Sequence, residues 1–430
     1  MGLYLFSAGT NRAVIDFMSH CGLSSSYTTI LEAHKFLSKD LIKKAAKLAS
    51  GPHMLGFDNE QISMSTHISQ RPGAIPAVRS FTAGILYALR NATLGACVLQ
   101  PILDRRKNCP IITYKNHIQL TRCQRSSFHR HLVLDVMDIL IKNTPGFQTD
   151  AYTQLIKHEK HRPPPEGHKT EEFILPTLEI DESTTIGVLS YFEVIYNKIL
   201  KVSEALLNCL AIPTVNDQLT NSRICGSQVE RRGDISPTRR VDNFQCGIGM
   251  FHADMNLGWK IHTVHEGSPD VPGSLSFWQA FLGTKRIGTA RPDYYTLKTH
   301  HMDILYGNIL HSWSKKTGHD DLENYAKTNP LPSELENTAA EILNDYISDE
   351  ALSDCKSKKD NLFYNVVLLN RDLLYLYEFQ AAISSGDFGR LELMLGTLTR
   401  MFNGAGARNY STEFLHLIQN LKISWPEPFA

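Results

Sequence analysis

Two acids stand where short apolar, β-branched stretches give way to turn or helix signals: Asp58 in "HMLGFDNE" and Asp217 in "IPTVNDQLTNSRI". Carboxylates at strand ends suit phosphoryl transfer, because Mg²⁺ takes oxygen ligands, keeps several waters and completes its shell with substrate phosphates. Two such ions ~4 Å apart stabilise both the entering and the leaving oxygen of an in-line displacement. A third carboxylate is expected from a late helix. Glu413 ranks first, at the edge of the apolar stripe Phe414, Leu417, Ile418 and Leu421 and one turn before Leu417. Glu378 ranks second, since "NLFYNVVLLNRDLLYLYEFQAAI" is apolar nearly all round and a carboxylate inside it must be paired, protonated or bound to metal. Glu392 lies off its stripe and reads as solvated. Each acid also has a plainer reading: Asp217 as a helix cap, Asp58 before Asn59 as the start of an Asx turn, and Glu378 as the partner of Arg371 or another base.

Other reactive side chains give weaker patterns. "FHADMN" carries His252, with His262 and His265 following, any of which suits a phosphate or a metal. Cys109, Cys123, His129 and His131 match no zinc spacing, so no zinc is expected. "MFNGAGARNY" lacks the Gly-Lys-Ser/Thr ending of a phosphate loop and reads as a tight turn between helices; "DFG" at 387 to 389 reads as a helix start. Residues 221–240 hold five arginines against two acids, among them Arg223, Arg231 and Arg232. Residues 284–298 hold Lys285, Arg286 and Arg291 beside Tyr294 and Tyr295. Cations interleaved with aromatics suit a nucleic-acid backbone with base stacking, and solvated loops share that pattern.

These residues need a scaffold. The chain has 430 residues, 42% of them hydrophobic and 20% charged, the balance of a globular protein with one large core or two moderate ones. Forty-four basic and 44 acidic residues cancel, so any polyanionic partner must be held by local patches. Eight cysteines without a CxxC pair, no signal-peptide pattern and no spanning apolar run point to an intracellular protein without a membrane partner. Residues 1–52 read as a helical hairpin. Strands are expected at 53–58, 80–89, 109–115, 212–216 and near 247, with a helical stripe from 186 to 210 leading into the fourth. The Pro-rich, charged stretch 158–172 reads as an exposed seam, and the chain beyond 270 as mostly helical. The expected fold is α/β, mainly helical by residue count, with a core at 53–270 interrupted by an inserted region near 116–185, and helices from 271 to 430.

The strings "SSSYTTIL", "GFDNEQIS", "NDQLTNSRI", "GMFHADMN", "GSLSFWQAFLG", "PDYYTLK", "NRDLLYLYEFQAAISSGDFGRLE", "MFNGAGARNYSTEFLH" and "NLKISWPEPFA" resemble, in order, an uncharacterised domain abundant in mushroom-forming fungi, domain-of-unknown-function family 6589. The resemblance runs from about residue 12 to the end. Such domains look derived from mobile elements. This implies a ribonuclease-H-like mixed sheet with large helical insertions, a DDE-type transposase using Mg²⁺ or Mn²⁺ on DNA, a nuclear setting, and a copy that is shortened or inactive. The family's polar positions fall on Asp58, Asn59, Asp217, Gln218, His252, Asn256, Glu378, Asn409, Tyr410 and Glu413, with Gln218, His252 and Asn256 implied around the metal or phosphate. The rival expectations are a catalytically silent helical scaffold that binds nucleic acid or protein, and a metal-dependent phosphohydrolase of small substrates.

Overall fold

A computed structural model describes residues 1–64, 77–283 and 293–429. Its chain is mainly helical, with one five-stranded mixed sheet. The strands are β1 (His53–Met64), β2 (Ala77–Ala88), β3 (Glu172–Ile174), β4 (Ile212–Asn216) and β5 (Phe244–Ile248). Across the sheet they run β3-β2-β1-β4-β5. β1 pairs antiparallel with β2 from His53 opposite Ala88 onward, and β2 pairs antiparallel with β3. β4 lies parallel to β1, with Leu55 opposite Thr214, and β5 lies parallel to β4.

The chain divides into two compact units. The first comprises Met1–Pro110, Lys169–Ile248 and Ile423–Ala430 and contains the sheet. Strand alternation sets its core: His53, Leu55 and Phe57 of β1 are buried, and so are Ile212, Thr214 and Asn216 of β4. Ala45 and Ala49 of the Tyr27–Ala49 helix join this core, together with Val188, Tyr191, Phe192, Ile195 and Tyr196. Phe192 stacks on Phe244 with ring centres 3.7 Å apart, and Tyr191 lies over Phe57 at 5.0 Å. Each such aromatic contributes roughly 1.5–3 kcal/mol of burial.

Four of the five expected strands form. The third does not: residues 109–113 stay irregular and lead into a π-helical turn at Tyr114–Ile118, with Ile111 87% exposed. β-branched content favours a strand only where a neighbouring strand supplies a packed face. The third strand is instead β3, short and at the sheet edge, just past the Pro-rich stretch. The stripe from 186 to 210 buries as expected, yet not as one helix. Thr185–Phe192 gives way to a π-helical run at Glu193–Ile199, Lys201 takes φ +54°, and Ser203 caps a new turn at Glu204–Leu207.

The second unit comprises Ile111–His168 and Gly249–Lys422, and is helical among its described residues. Its Arg122–Asn143 helix opens on a Thr121–Gln124 capping box and buries every residue from His131 to Ile141. Trp313, fully buried, donates its indole N–H to the Val136 carbonyl at 3.2 Å. Asn361–Ser385 ends at Gly386 in the left-handed region, φ +66°, where a side chain would be strained. Asp387 caps Phe388–Gly404, so "DFG" is a helix start, and residues 405–407 turn the chain into Arg408–Gln419. No helix among the described residues is long and apolar enough to cross a membrane.

Candidate divalent-cation site

The pairing of β1 with β4 sets Asp58 and Asp217 level. Each lies three residues beyond the matched pair Leu55 and Thr214, Asp58 within β1 on the face opposite the buried Leu55 and Phe57, and Asp217 one residue past the end of β4. An amide lattice fixes that register. Asn216 accepts from the Phe57 N–H at 3.2 Å and donates to Asn221 Oδ1 at 3.3 Å, while Asn221 donates to the Gly247 carbonyl at 3.0 Å. The three parallel strands β1, β4 and β5 are thus laced together one residue before Asp217.

Asp217 is also the N-cap of the Gln218–Glu230 helix, its Oδ1 accepting from the Thr220 N–H at 2.7 Å. Capping engages one oxygen, and a helix N-terminus favours a negative charge there. Asp58 does not close its strand or start a turn, because β1 runs on to Met64 and pairs Asp58 with Ala83; the side chain is exposed, and its Oδ1 accepts from the Asn59 N–H at 2.8 Å.

A third carboxylate belongs to the same unit and escaped the sequence reading. Glu182 is 2% exposed, with Thr220 Oγ1 lying 2.9 and 3.0 Å from its two oxygens. Burial pushes its carboxyl up to about 7; the Thr220 hydroxyl opposes that rise, and the charges of Asp217, Asp58 and Asp181 add to it. The loop presenting Glu182 is tied at every residue. Ser183 N–H donates to Asp181 Oδ1 at 3.1 Å, the Thr184 hydroxyl donates to the Asp181 carbonyl at 3.1 Å, and Arg223 donates to the Ser183 carbonyl at 2.7 Å. The only sequence signal was the acid pair in "IDESTT" just before a helix start.

The remaining sequence candidates divide between the units. Gln218 begins the helix capped by Asp217 and is half-buried. Arg223 braces the Glu182 loop, Arg231 pairs with Asp234 at 2.8 Å, and Arg232 is exposed. Lys285, Arg286 and Arg291 lie outside the described residues. Glu413 and Glu378 belong to the second unit, both buried. Glu378 meets Arg390 rather than Arg371: Arg390 Nε donates to Oε1 at 3.1 Å and its terminal nitrogen to the other oxygen. Arg371 instead pairs with Asp349 and Asp372. Glu392 is no freely solvated acid but pairs with Lys422 and, at 3.6 Å, with Arg162. In that unit too, Asn256 donates to Tyr410 Oη at 2.5 Å and to the carbonyl of half-buried His252 at 2.7 Å.

Comparison with known proteins adds a family and nothing finer. No curated protein and no solved structure matches the chain. The family match begins at residue 108 rather than near residue 12, so Asp58 and the strings before it lie outside it, whereas Glu182, Asp217, Glu378 and Glu413 lie within. With residues 108–430 matched, the chain belongs to the Family of unknown function (DUF6589).

Proposed function

We propose that the chain carries a ribonuclease-H-like core of mobile-element ancestry, and that Asp58 and Asp217 hold divalent cations for cleavage of a nucleic-acid strand. The observation that carries this reading is that Asp58 and Asp217 each follow by three residues the matched pair Leu55 and Thr214 of two adjacent parallel strands. The sheet order supports it: three antiparallel strands, then two parallel to the first, is the ribonuclease-H arrangement. The donors are all carboxylate oxygens, which suits Mg²⁺ or Mn²⁺. When bound, such ions would polarise the scissile phosphate and help ionise the attacking water. Asp58, exposed, would face the substrate side, and Asp217 would hold its oxygen at the helix start. Glu182 would complete the set from within the same unit.

The silent scaffold is the second reading. It draws on the cap made by Asp217 and on the internal ties of Arg223 and Arg231, which a purely structural acid and base would also show. A nicking assay on labelled DNA with Mg²⁺ or Mn²⁺ separates the two. Cleavage is expected from the parent chain, with a loss of at least about 100-fold in Asp217→Asn and in Asp58→Asn at unchanged thermal stability. Glu182→Gln and Glu413→Gln compared side by side identify the third carboxylate by the larger loss. No cleavage by the parent, or cleavage surviving Asp217→Asn, contradicts the proposal. A preference for small phosphate esters over DNA would favour the phosphohydrolase.

A further inference from the structure

The second unit buries a group of ligands that the strand-cleavage reading does not use. Asp135, His158 and Glu378 each offer a donor atom, and these atoms all lie within 4.8 Å of one another. They come from three separate segments: the Arg122–Asn143 helix, the stretch before the Pro-rich loop, and the Asn361–Ser385 helix. Asp135 is 0% exposed; no N–H or hydroxyl among the described residues donates to its oxygens, and its hydrogen-bonding neighbour is the carboxyl of Glu378. Its neighbours explain why. Glu378 is itself a carboxylate whose oxygens take the Arg390 guanidinium, and His158 Nε2 stands 3.6 Å from Asp135 Oδ1, too far for a hydrogen bond. Two facing carboxylates and an imidazole nitrogen need a positive centre between them, either a shared proton or a cation.

The histidines form a chain that can leave that nitrogen unprotonated. His158 Nδ1 lies 3.0 Å from His131 Nδ1, and His131 Nε2 lies 3.3 Å from His161 Nε2, which in turn meets the Ser127 hydroxyl at 2.9 Å. In the tautomer set where His158 Nδ1 donates to His131 and His131 Nε2 donates to His161, the lone pair of His158 sits on Nε2, facing Asp135. That is the usual second layer of a histidine metal ligand, whose other nitrogen is held by a neighbour.

Charge points the same way. Asp387 accepts backbone N–H groups from His161, Arg162, Gly389 and Arg390, and these hold its carboxyl below the usual carboxylate range despite burial. Glu378 already takes the Arg390 guanidinium, so the Asp135 carboxyl facing it must be balanced by a proton or by a bound cation. Mixed nitrogen and oxygen donors select a transition ion over Mg²⁺. The edge of a zinc tetrahedron with bonds of ~2.0–2.1 Å is roughly 3.4 Å, close to the His158–Asp135 separation.

We infer that Asp135, His158 and Glu378 form a zinc-class metal site that clamps the 158–161 stretch onto the two helices, with a fourth position for water. The sequence hid this site because its ligands are 23 and 220 residues apart and follow no short motif. The site stands apart from the acids of the sheet, so the two proposals succeed or fail separately.

Elemental analysis of the full chain, desalted after growth with added zinc, tests it together with cobalt absorption spectra. About one zinc per chain is expected, with cobalt giving the visible bands of a four-coordinate N/O site. His158→Ala and Asp135→Asn should each lower metal affinity at least 10-fold. A parent chain that retains no zinc, shows no cobalt bands and melts at the same temperature with and without zinc overturns the site. So does His158→Ala binding cobalt as tightly as the parent does. If the variants misfold, the parent spectra alone decide, since a shared proton between Asp135 and Glu378 gives no cobalt band.

Discussion

Glu182 binds its proton more tightly in the folded chain than an ordinary glutamate does, and this has a definite sign. Its folded value of about 7 stands above the ordinary 4.5. Between those values the folded state keeps a proton that the unfolded state has released, so the contribution to stability is present below pH 4.5 and lost as pH rises through 7. Glu182→Gln removes the loss. In buffer with EDTA, urea denaturation should show the variant more stable than the parent at pH 8 by on the order of 2 kcal/mol, and nearly equal at pH 4. Equal responses at both pH values would mean that Glu182 is solvated. At this scale the sequence was partly legible. Asp58 and Asp217 were visible because a short apolar run ends at each; Asp217 takes the plain role of cap, whereas Asp58 starts no turn and lies within β1 because the pairing with β2 continues past it. Glu182 was not visible: a buried acid leaves no periodic trace when it sits in a loop, and its partner Thr220 is 38 residues away.

The elements that carry these acids depend on close backbone approaches. A Cβ built on Gly187 would stand 1.7 Å from the Asp181 carbonyl oxygen, so the helix start at Thr185 packs directly on the loop that presents Glu182. Gly187→Ala must push that loop outward, and the expected cost is about 1–3 kcal/mol in thermal or chemical denaturation, with weakened Mn²⁺ binding. Gly84 of β2 plays a similar part, since its Cβ would meet the Tyr191 hydroxyl at 1.9 Å. Gly84→Ala should destabilise by a similar amount without affecting the acids' register, checked by the same denaturation and binding measurements. Four strands were legible because alternation and β-branching coincide with a real neighbouring strand, on both sides for β1, β2 and β4 and on one side for the edge strand β5. The segment 109–115 had the composition without the neighbour, and β3 had the neighbour with only three residues of pattern. The break at 193–203 was illegible for a different reason: a π-helical run keeps the apolar side chains facing the core, so the stripe Phe192, Ile195, Val202 and Leu210 reads the same through it.

Across the whole molecule, buried neutral histidines set the response to acid. Burial holds His53 at about 4, against a weaker opposing hydrogen bond to the Gly51 carbonyl; it holds His300 at about 4 and His301 well below the ordinary value, with neighbouring histidines adding to both. Between pH 6.5 and 4 the unfolded chain takes up protons that the folded chain refuses, so their contribution is present above 6.5 and lost as pH falls toward 4. The unfolding midpoint in urea should drop between pH 7 and pH 5, and His53→Gln should flatten that slope; an unchanged midpoint would mean that the rings are hydrated. Mainly helical composition and one mixed sheet were readable from periodicity, whereas the division into two interleaved units was not, because each unit is assembled from distant stretches of chain. The family match covers the second unit fully and the sheet unit from residue 108 on, leaving Asp58 to be judged by chemistry alone. Titration with Mn²⁺ followed by electron paramagnetic resonance judges it most directly. The parent chain should bind at least one ion that both Asp58→Asn and Asp217→Asn lose while remaining folded; identical Mn²⁺ binding in the parent and in Asp217→Asn would contradict a cation site at the ends of these strands.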